Sequence, residues 1–191
     1  MIKQFKKTLI RDIDPSNVLL NTRDIVLCDT ITSESVSLIL EKIIALDRLS
    51  KKPIRLYINS NGGETIAGMA LVDIIQSIDT EVISIIAGAA ISMAGIVSIS
   101  CDRRYITKNS FWMTHEISAE TPVDYLSVIL DKTEWLKTER DLMNNILRTR
   151  TKLTKEDIDK TQNGQLWLNA EECVKKGIAE KIITNLEDIR G

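Results

Sequence analysis

Apolar residues fall along the chain in short β-branched runs, separated by stretches in which they recur every three to four positions. Strands alternating with helices produce that pattern. Asp24 to Cys28, Ile54 to Asn59 and Val82 to Ile86 read as strands. Between the first two, Thr32-Ser33-Glu34 opens a helix with Val36, Ile39, Leu40, Ile43 and Ile44 on one face and Leu46 at its margin, and Lys51-Lys52-Pro53 breaks it. A second helical pattern runs from Glu64 to Ile78, and Met93-Ala94-Gly95-Ile96-Val97 reads as a buried helix. Strand-helix-strand-helix-strand-helix implies right-handed crossovers and a mainly parallel sheet.

Further along, Cys101-Asp102-Arg103-Arg104 reads as a polar turn, and Tyr105–Thr107 and Phe111–Thr114 as short strands. Thr121-Pro122-Val123-Asp124 is a helix start: threonine as cap, proline first, an acid in the first turn. The periodic pattern then continues to about Arg150. A helix of that length is roughly 45 Å long, so it is expected to project and pack on another subunit. Thr154-Lys155-Glu156-Asp157 starts a short helix to about Lys160, Trp167 to Glu172 opens another, and Gly177 is its expected C-terminal cap. Ile178 to Ile183 returns as an edge element, while Met1 to Thr22 reads as an arm or peripheral hairpin with a turn at Asp14-Pro15-Ser16-Asn17.

The stretch from Val82 to Ser100 carries no charge, which raises a membrane helix first. Its four serines, two glycines and β-branched first half argue instead for a strand, a tight turn at Ala87-Gly88-Ala89-Ala90, and a helix. Ser92 then stands at the corner where a new helix presents its N–H groups. It is either a small polar N-cap or a nucleophile, if a base reaches it. Ser60-Asn61-Gly62-Gly63 likewise links a strand to a helix and lets main-chain amides approach a ligand. No lysine-serine or lysine-threonine follows at nucleotide-binding spacing.

Composition narrows the chemistry. A chain of 191 residues suits one domain with a sizeable core, and a net charge of −2 offers no basic field for nucleic acid or anionic membrane. The N-terminal positive charges lack an apolar segment behind them, so the expectation is a cytoplasmic protein. Cys28, Cys101 and Cys173 read as reduced, buried small residues. His115 is the one histidine, which excludes a multi-histidine zinc site and makes it the imidazole base for any mechanism that needs one. No metal and no cofactor are expected.

Four segments resemble one family together. Leu56-Tyr57-Ile58-Asn59-Ser60-Asn61-Gly62-Gly63 with Ala67-Gly68-Met69-Ala70 is similar to a Y-I-N-S-P-G-G…A-G-M segment of the Clp protease proteolytic subunit (ClpP) family. Gly88-Ala89-Ala90-Ile91-Ser92-Met93-Ala94-Gly95 resembles its nucleophile motif, and Met113-Thr114-His115-Glu116 its histidine segment. Trp167 to Glu172, through Gly177-Ile178, resembles its C-terminal block. The likeness spans roughly residues 23 to 183. It implies a ClpP/crotonase-like α/β fold of repeated β-β-α type units, with residues 1–191 as a single domain, 1–22 an N-terminal arm and about 121–150 a projecting handle helix. It further implies serine endopeptidase chemistry, with Ser92 the nucleophile, His115 the general base, and the N–H groups of Gly63 and Met93 the oxyanion hole. Implied partners are further copies of the chain in heptameric rings or a two-ring barrel, an AAA+ unfoldase or a ClpP paralogue, and unfolded polypeptide as substrate.

The chain also departs from the family pattern. Gln165 stands where the third triad member should be an aspartate, and Asp159 and Asp157 are the nearest upstream carboxylates. The Arg-Asp pair expected there is absent, Asn61 replaces proline, and no glycine pair follows His115. Three readings follow: an endopeptidase with an atypical third member, a weak or inactive ring subunit with a structural or regulatory role, and a crotonase-fold acyl-CoA hydratase or isomerase.

Overall fold

The computed structural model describes residues 14–118, 125–162 and 164–189. The elements among them, in chain order, begin with α1 (Pro15–Asn21), β1 (Asp24–Leu27), α2 (Ser33–Leu49), β2 (Ile54–Ser60) and α3 (Thr65–Ser77). The central pair is β3 (Val82–Ile91) and α4 (Met93–Ser100), followed by β4 (Arg103–Thr107) and β5 (Phe111–His115). Then come α5 (Leu126–Arg150), α6 (Lys155–Thr161), β6 (Gln165–Asn169), α7 (Ala170–Lys175) and β7 (Lys181–Ile183). A 3₁₀ turn at Leu186–Ile189 follows.

Seven strands form one sheet in the order β1-β2-β3-β4-β7, with β5 pairing the far half of β3 and β6 pairing β5. Every pairing is parallel except β5–β6. The mixed, mostly parallel α/β architecture expected from the alternation is the one found. The core lies between the sheet and α2, α3 and α4, where Leu71, Ile43, Ile54, Leu56 and Ile58 are wholly buried. A smaller cluster of Ile83, Ile85, Tyr105, Ile183 and Ile189 sits apart from it.

Helix α4 is buried along its whole length, and its serines, with Ser84 of the neighbouring β3, solve the problem that burial creates. Ser84 Oγ donates to the Ser98 carbonyl, Ser98 Oγ to that of Gly95 and Ser100 Oγ to that of Ile96, at 2.7–2.9 Å. Buried hydroxyls are thereby satisfied without water. Among the described residues no helix is long and apolar enough to cross a membrane.

Several local expectations give way. Residues 87–90 are not a tight turn: β3 continues to Ile91, with Ala89, Ala90 and Ile91 pairing Phe111, Trp112 and Met113 of β5. Gly88 itself takes a φ of 118°, and a Cβ on it would lie 2.3 Å from Asn59 Oδ1. Arg103 and Arg104 open β4 rather than belonging to a turn. Gln165–Asn169 is a strand, and the helix starts only after Asn169, whose side chain caps it by accepting from Glu172 N. Asp14–Asn17 belongs to α1 and its cap, with Asp14 Oδ1 accepting from Ser16 N at 2.9 Å. Cys28 is exposed, while Cys101 and Cys173 are buried, their thiols pushed up to about 12 by burial. The start at Thr121–Asp124 lies outside the described residues, as do residues 1–13 of the arm; the long helix is described from Leu126 to Arg150.

Candidate active site

Ser92 joins β3 to α4 with φ 55° and ψ −124°. Apart from Arg23 it is the one described non-glycine residue with positive φ. Such a conformation costs on the order of 1–3 kcal/mol and persists only where its surroundings impose it. Here they do: Ser92 N donates to the Met113 carbonyl at 2.8 Å, and the Ser92 carbonyl accepts from Gly95 N and Ile96 N. The hydroxyl makes no cap hydrogen bond with its helix. The N-cap role weighed from sequence is therefore not how this side chain is used.

The Gly62–Gly63 turn is pressed against that corner. A Cβ on Gly62 would lie 2.6 Å from the Ile91 carbonyl oxygen and 2.8 Å from Met93 N, and one on Gly63 2.1 Å from the Ile31 carbonyl oxygen. Both glycines have positive φ, at 86° and 152°. The turn is held from the other side by Ile31 N donating to the Gly62 carbonyl and Glu64 N to that of Ile31, both at 2.8 Å. Gly62 N itself donates to Ser60 Oγ. Among the described residues neither Gly63 N nor Met93 N is recorded with an acceptor. Two main-chain donors thus remain beside Ser92.

His115 ends β5. Its Nδ1 lies 2.6 Å from the Glu116 carbonyl oxygen. A carbonyl can only accept, so this contact places the proton on Nδ1 and leaves the Nε2 lone pair available. Gly63, Ser92, Met93 and His115 line one cleft of about 60 Å³, closed by Thr65, Ile96, Met143 and residues 114 and 116–118. That is room for about two waters. No hydrogen bond joins Ser92 to His115 among those of the described residues, and such contacts commonly tighten only with substrate bound.

Gln165 pairs directly across from His115 in the β5–β6 register, so the two side chains share a face of the sheet. Its Oε1 is already engaged, accepting from Trp167 Nε1 at 2.8 Å. Asp159 is exposed on α6 and does not line the cleft. Asp157 is committed elsewhere: it accepts from Lys176 Nζ at 2.5 Å and from Thr154, and the Lys176 hydrogen bond holds its carboxyl down at about 2. Sequence reasoning missed the Glu116 carbonyl, which has no side-chain signature, and the cleft walls Thr65 and Met143. Among the described residues no group of three His, Cys, Asp or Glu is placed to hold a metal ion.

A mostly parallel sheet carrying a strained serine and a glycine turn at its centre makes this a mixed α/β protein with a candidate hydrolytic corner. The Clp protease family model matches residues 6–186, and the chain belongs to that family. It is 31% identical over 177 residues to the ATP-dependent Clp protease proteolytic subunit 2 of Treponema denticola, covering 89% of this chain and 86% of that one. The corresponding proteolytic subunit of Cyanophora paradoxa is 29% identical, with 97% of each chain covered, and subunit 1 of Protochlamydia amoebophila is 30% identical, with 91% and 86% covered. The structure of a mutant ClpP1 from Listeria monocytogenes superposes with a TM-score of 0.81 at 24% identity, covering 90% of this chain and 97% of that one, which supports the fold. These relationships do not favour the acyl-CoA hydratase or isomerase reading.

Proposed function

We propose that this protein is a serine endopeptidase in which Ser92 attacks, His115 serves as general base, and the amides of Gly63 and Met93 hold the oxyanion. The observation that carries the reading is Ser92 itself: a strained residue whose hydroxyl is withheld from capping, in one cleft with the sole imidazole and two open main-chain donors. Nε2 of His115 takes the Oγ proton as Oγ adds to the scissile carbonyl. The resulting oxyanion accepts from Gly63 N–H and Met93 N–H. The imidazolium then returns its proton to the leaving amine, and water, activated by the same nitrogen, releases the acyl group from Ser92.

The third role falls to a main-chain carbonyl. An amide side chain opposite a catalytic histidine can impose the wrong tautomer, and in the well-studied serine proteases that change costs about 10⁴ in rate. The Glu116 carbonyl cannot donate, so it keeps the right tautomer while offering a dipole where a carboxylate would offer a full charge. Slow but real catalysis is the expected consequence. The substrate is unfolded polypeptide, admitted to a ring-built chamber by an AAA+ unfoldase on which the ATP requirement rests; the chain is one ClpP-like domain with α5 as its handle. The engagement of Gln165 by Trp167 favours a second reading, a weak ring subunit beside an active paralogue.

A fluorophosphonate probe on the intact purified particle separates the two. Labelling is expected at Ser92, absent in Ser92→Ala, and slowed by roughly 10²–10⁴ in His115→Ala. An assembled wild-type particle that takes no label would leave the second reading.

A further inference from the structure

The glycine turn is tethered at both ends. On the side of α2, the Glu64 carboxylate accepts from Ser33 N at 3.1 Å and Ser33 Oγ at 3.0 Å. On the opposite side, Thr65 Oγ1 donates to Glu139 Oε1 of α5 at 2.9 Å, across 74 residues of chain. Thr65 is the first residue of α3, two positions after Gly63. Glu139 stands one helical turn before Met143, so both side chains project from the same face of α5. Thr65 and Met143 form a shared wall. On one side they line the cleft with Ser92 and His115; on the other they line an apolar groove of about 340 Å³ with Trp135, Glu139 and Leu142. Buried residues on α5 are confined to Asn144 and Leu147 near its C-terminal end, while Leu126, Val128, Leu130 and Trp135 are exposed.

We infer that Thr65 and Glu139 form a positioning latch through which the long helix α5 sets the Gly63 amide, resting on the proposal that this amide is an oxyanion donor. A shift of α5 at Glu139 pulls on Thr65, and Gly63 has little slack to absorb it, because its other contacts fix it against Ile31. The same shift moves Met143 at the cleft wall. Neither Thr65 nor Glu139 is a catalytic residue. Their effect is exerted through the turn.

The test uses the full-length assembled protein and three readouts: fluorophosphonate labelling rate at Ser92, native particle mass, and hydrogen–deuterium exchange across residues 62–68. Thr65→Val removes the hydroxyl at constant volume. It is expected to slow labelling about tenfold, the scale of one weakened donor, and to speed exchange across 62–68 with the mass unchanged. Glu139→Ala is expected to do the same, and the double variant no more than either single one, as coupled partners require. Thr65→Ser, which keeps the hydroxyl, restores both readouts. Wild-type labelling and exchange in Thr65→Val, equal impairment in Thr65→Ser, or multiplying effects in the double variant would overturn the latch. If the wild type takes no label, the hydrolase proposal fails by itself, and the exchange data still decide the latch.

Discussion

Ser92 and the Gly62–Gly63 turn sit where the central strands and helices α3 and α4 converge, whereas His115 and Gln165 sit on β5 and β6, the last strands off the main path of the sheet. The first region is fixed almost wholly by main chain: positive-φ residues, close backbone approaches and carbonyl-to-amide hydrogen bonds. The second hangs on the pairing of β5 with the end of β3 and with β6, its side chains meet across that strand pair, and its surface is open, with Trp167 49% exposed. Backbone geometry tolerates few residue types, and this region retains the Gly62–Gly63 pair and Ser92. A side-chain environment tolerates many, and most of the departures fall there, Gln165 and the sequence after His115, against Asn61 alone in the glycine turn.

The sharpest way to break this comparison is a glycine pair. Gly63→Ala places a Cβ against the Ile31 carbonyl oxygen at a positive φ, where neither atom is the end of a flexible side chain. Serine labelling is expected to fall by roughly 10²-fold or more as the donor is displaced, with a loss of about 2–4 kcal/mol in stability. Gly164→Ala, beside Gln165, meets only the Lys160 carbonyl oxygen at 3.6 Å, an ordinary contact. It is expected to leave both thermal midpoint and labelling within error of wild type. Equal damage from the two substitutions would remove the distinction between the regions.

The next effect is a gain. Gln165→Asp places a carboxylate across the strand pair from His115, while the neighbouring Trp167 loses its acceptor. Charge-assisted hydrogen bonding to the imidazolium is worth about 1.5–3 kcal/mol, so labelling at Ser92 is expected to accelerate by roughly 10- to 100-fold. Gln165→Ala is expected to change it by less than about threefold, since the wild-type amide is engaged with Trp167 rather than with the ring. A large loss in Gln165→Ala would instead make Gln165 itself the partner of His115.

How far the sequence reached follows the same division. Most strands and helices through α4 were legible because β-branched runs and three-to-four spacing are strong signals, and the motif segments located Gly63, Ser92, Met93 and His115, though not the cleft walls Thr65 and Met143. Residues 87–90 misled because alanine and glycine are weak strand formers, and long-range partners keep them extended: β5 beside Ala89 and Ala90, Ser60 of β2 beside Ala90, and the Ser110 and Asn59 side chains at the amides of Gly88 and Ala89. Leu166 and Leu168 alternate with polar or exposed neighbours as a strand should, but the run is short and leads straight into α7, so the sequence points to a helix from Trp167 rather than from Ala170. The exposure of Cys28 depends on which strand lies at the edge, and no local pattern carries that. The hydrogen bond from His115 to the Glu116 main chain depends on how the chain leaves β5, which residue identities do not encode.

The smallest effect tests whether the acids upstream of Gln165 are tied to the cleft at all. Asp157 closes a capping box with Thr154 and accepts from Lys176, which with lesser help from Thr154 holds its carboxyl down at about 2 from an ordinary 3.8. A depressed carboxyl contributes stability that is present above its unfolded pKa and lost as pH falls through the folded one. Asp157→Asn is therefore expected to cost about 1–2 kcal/mol at pH 7, read by denaturant unfolding of the intact protein. The gap from wild type should hold down to about pH 4 and close between about pH 4 and 2. Labelling of Ser92 should not change, because Asp157 secures α6 to Lys176 and does not line the cleft. A fall in labelling matching that in stability would show that the acid-bearing helix does reach the base, and that the peripheral side of the cleft is more tightly coupled than its open surface implies.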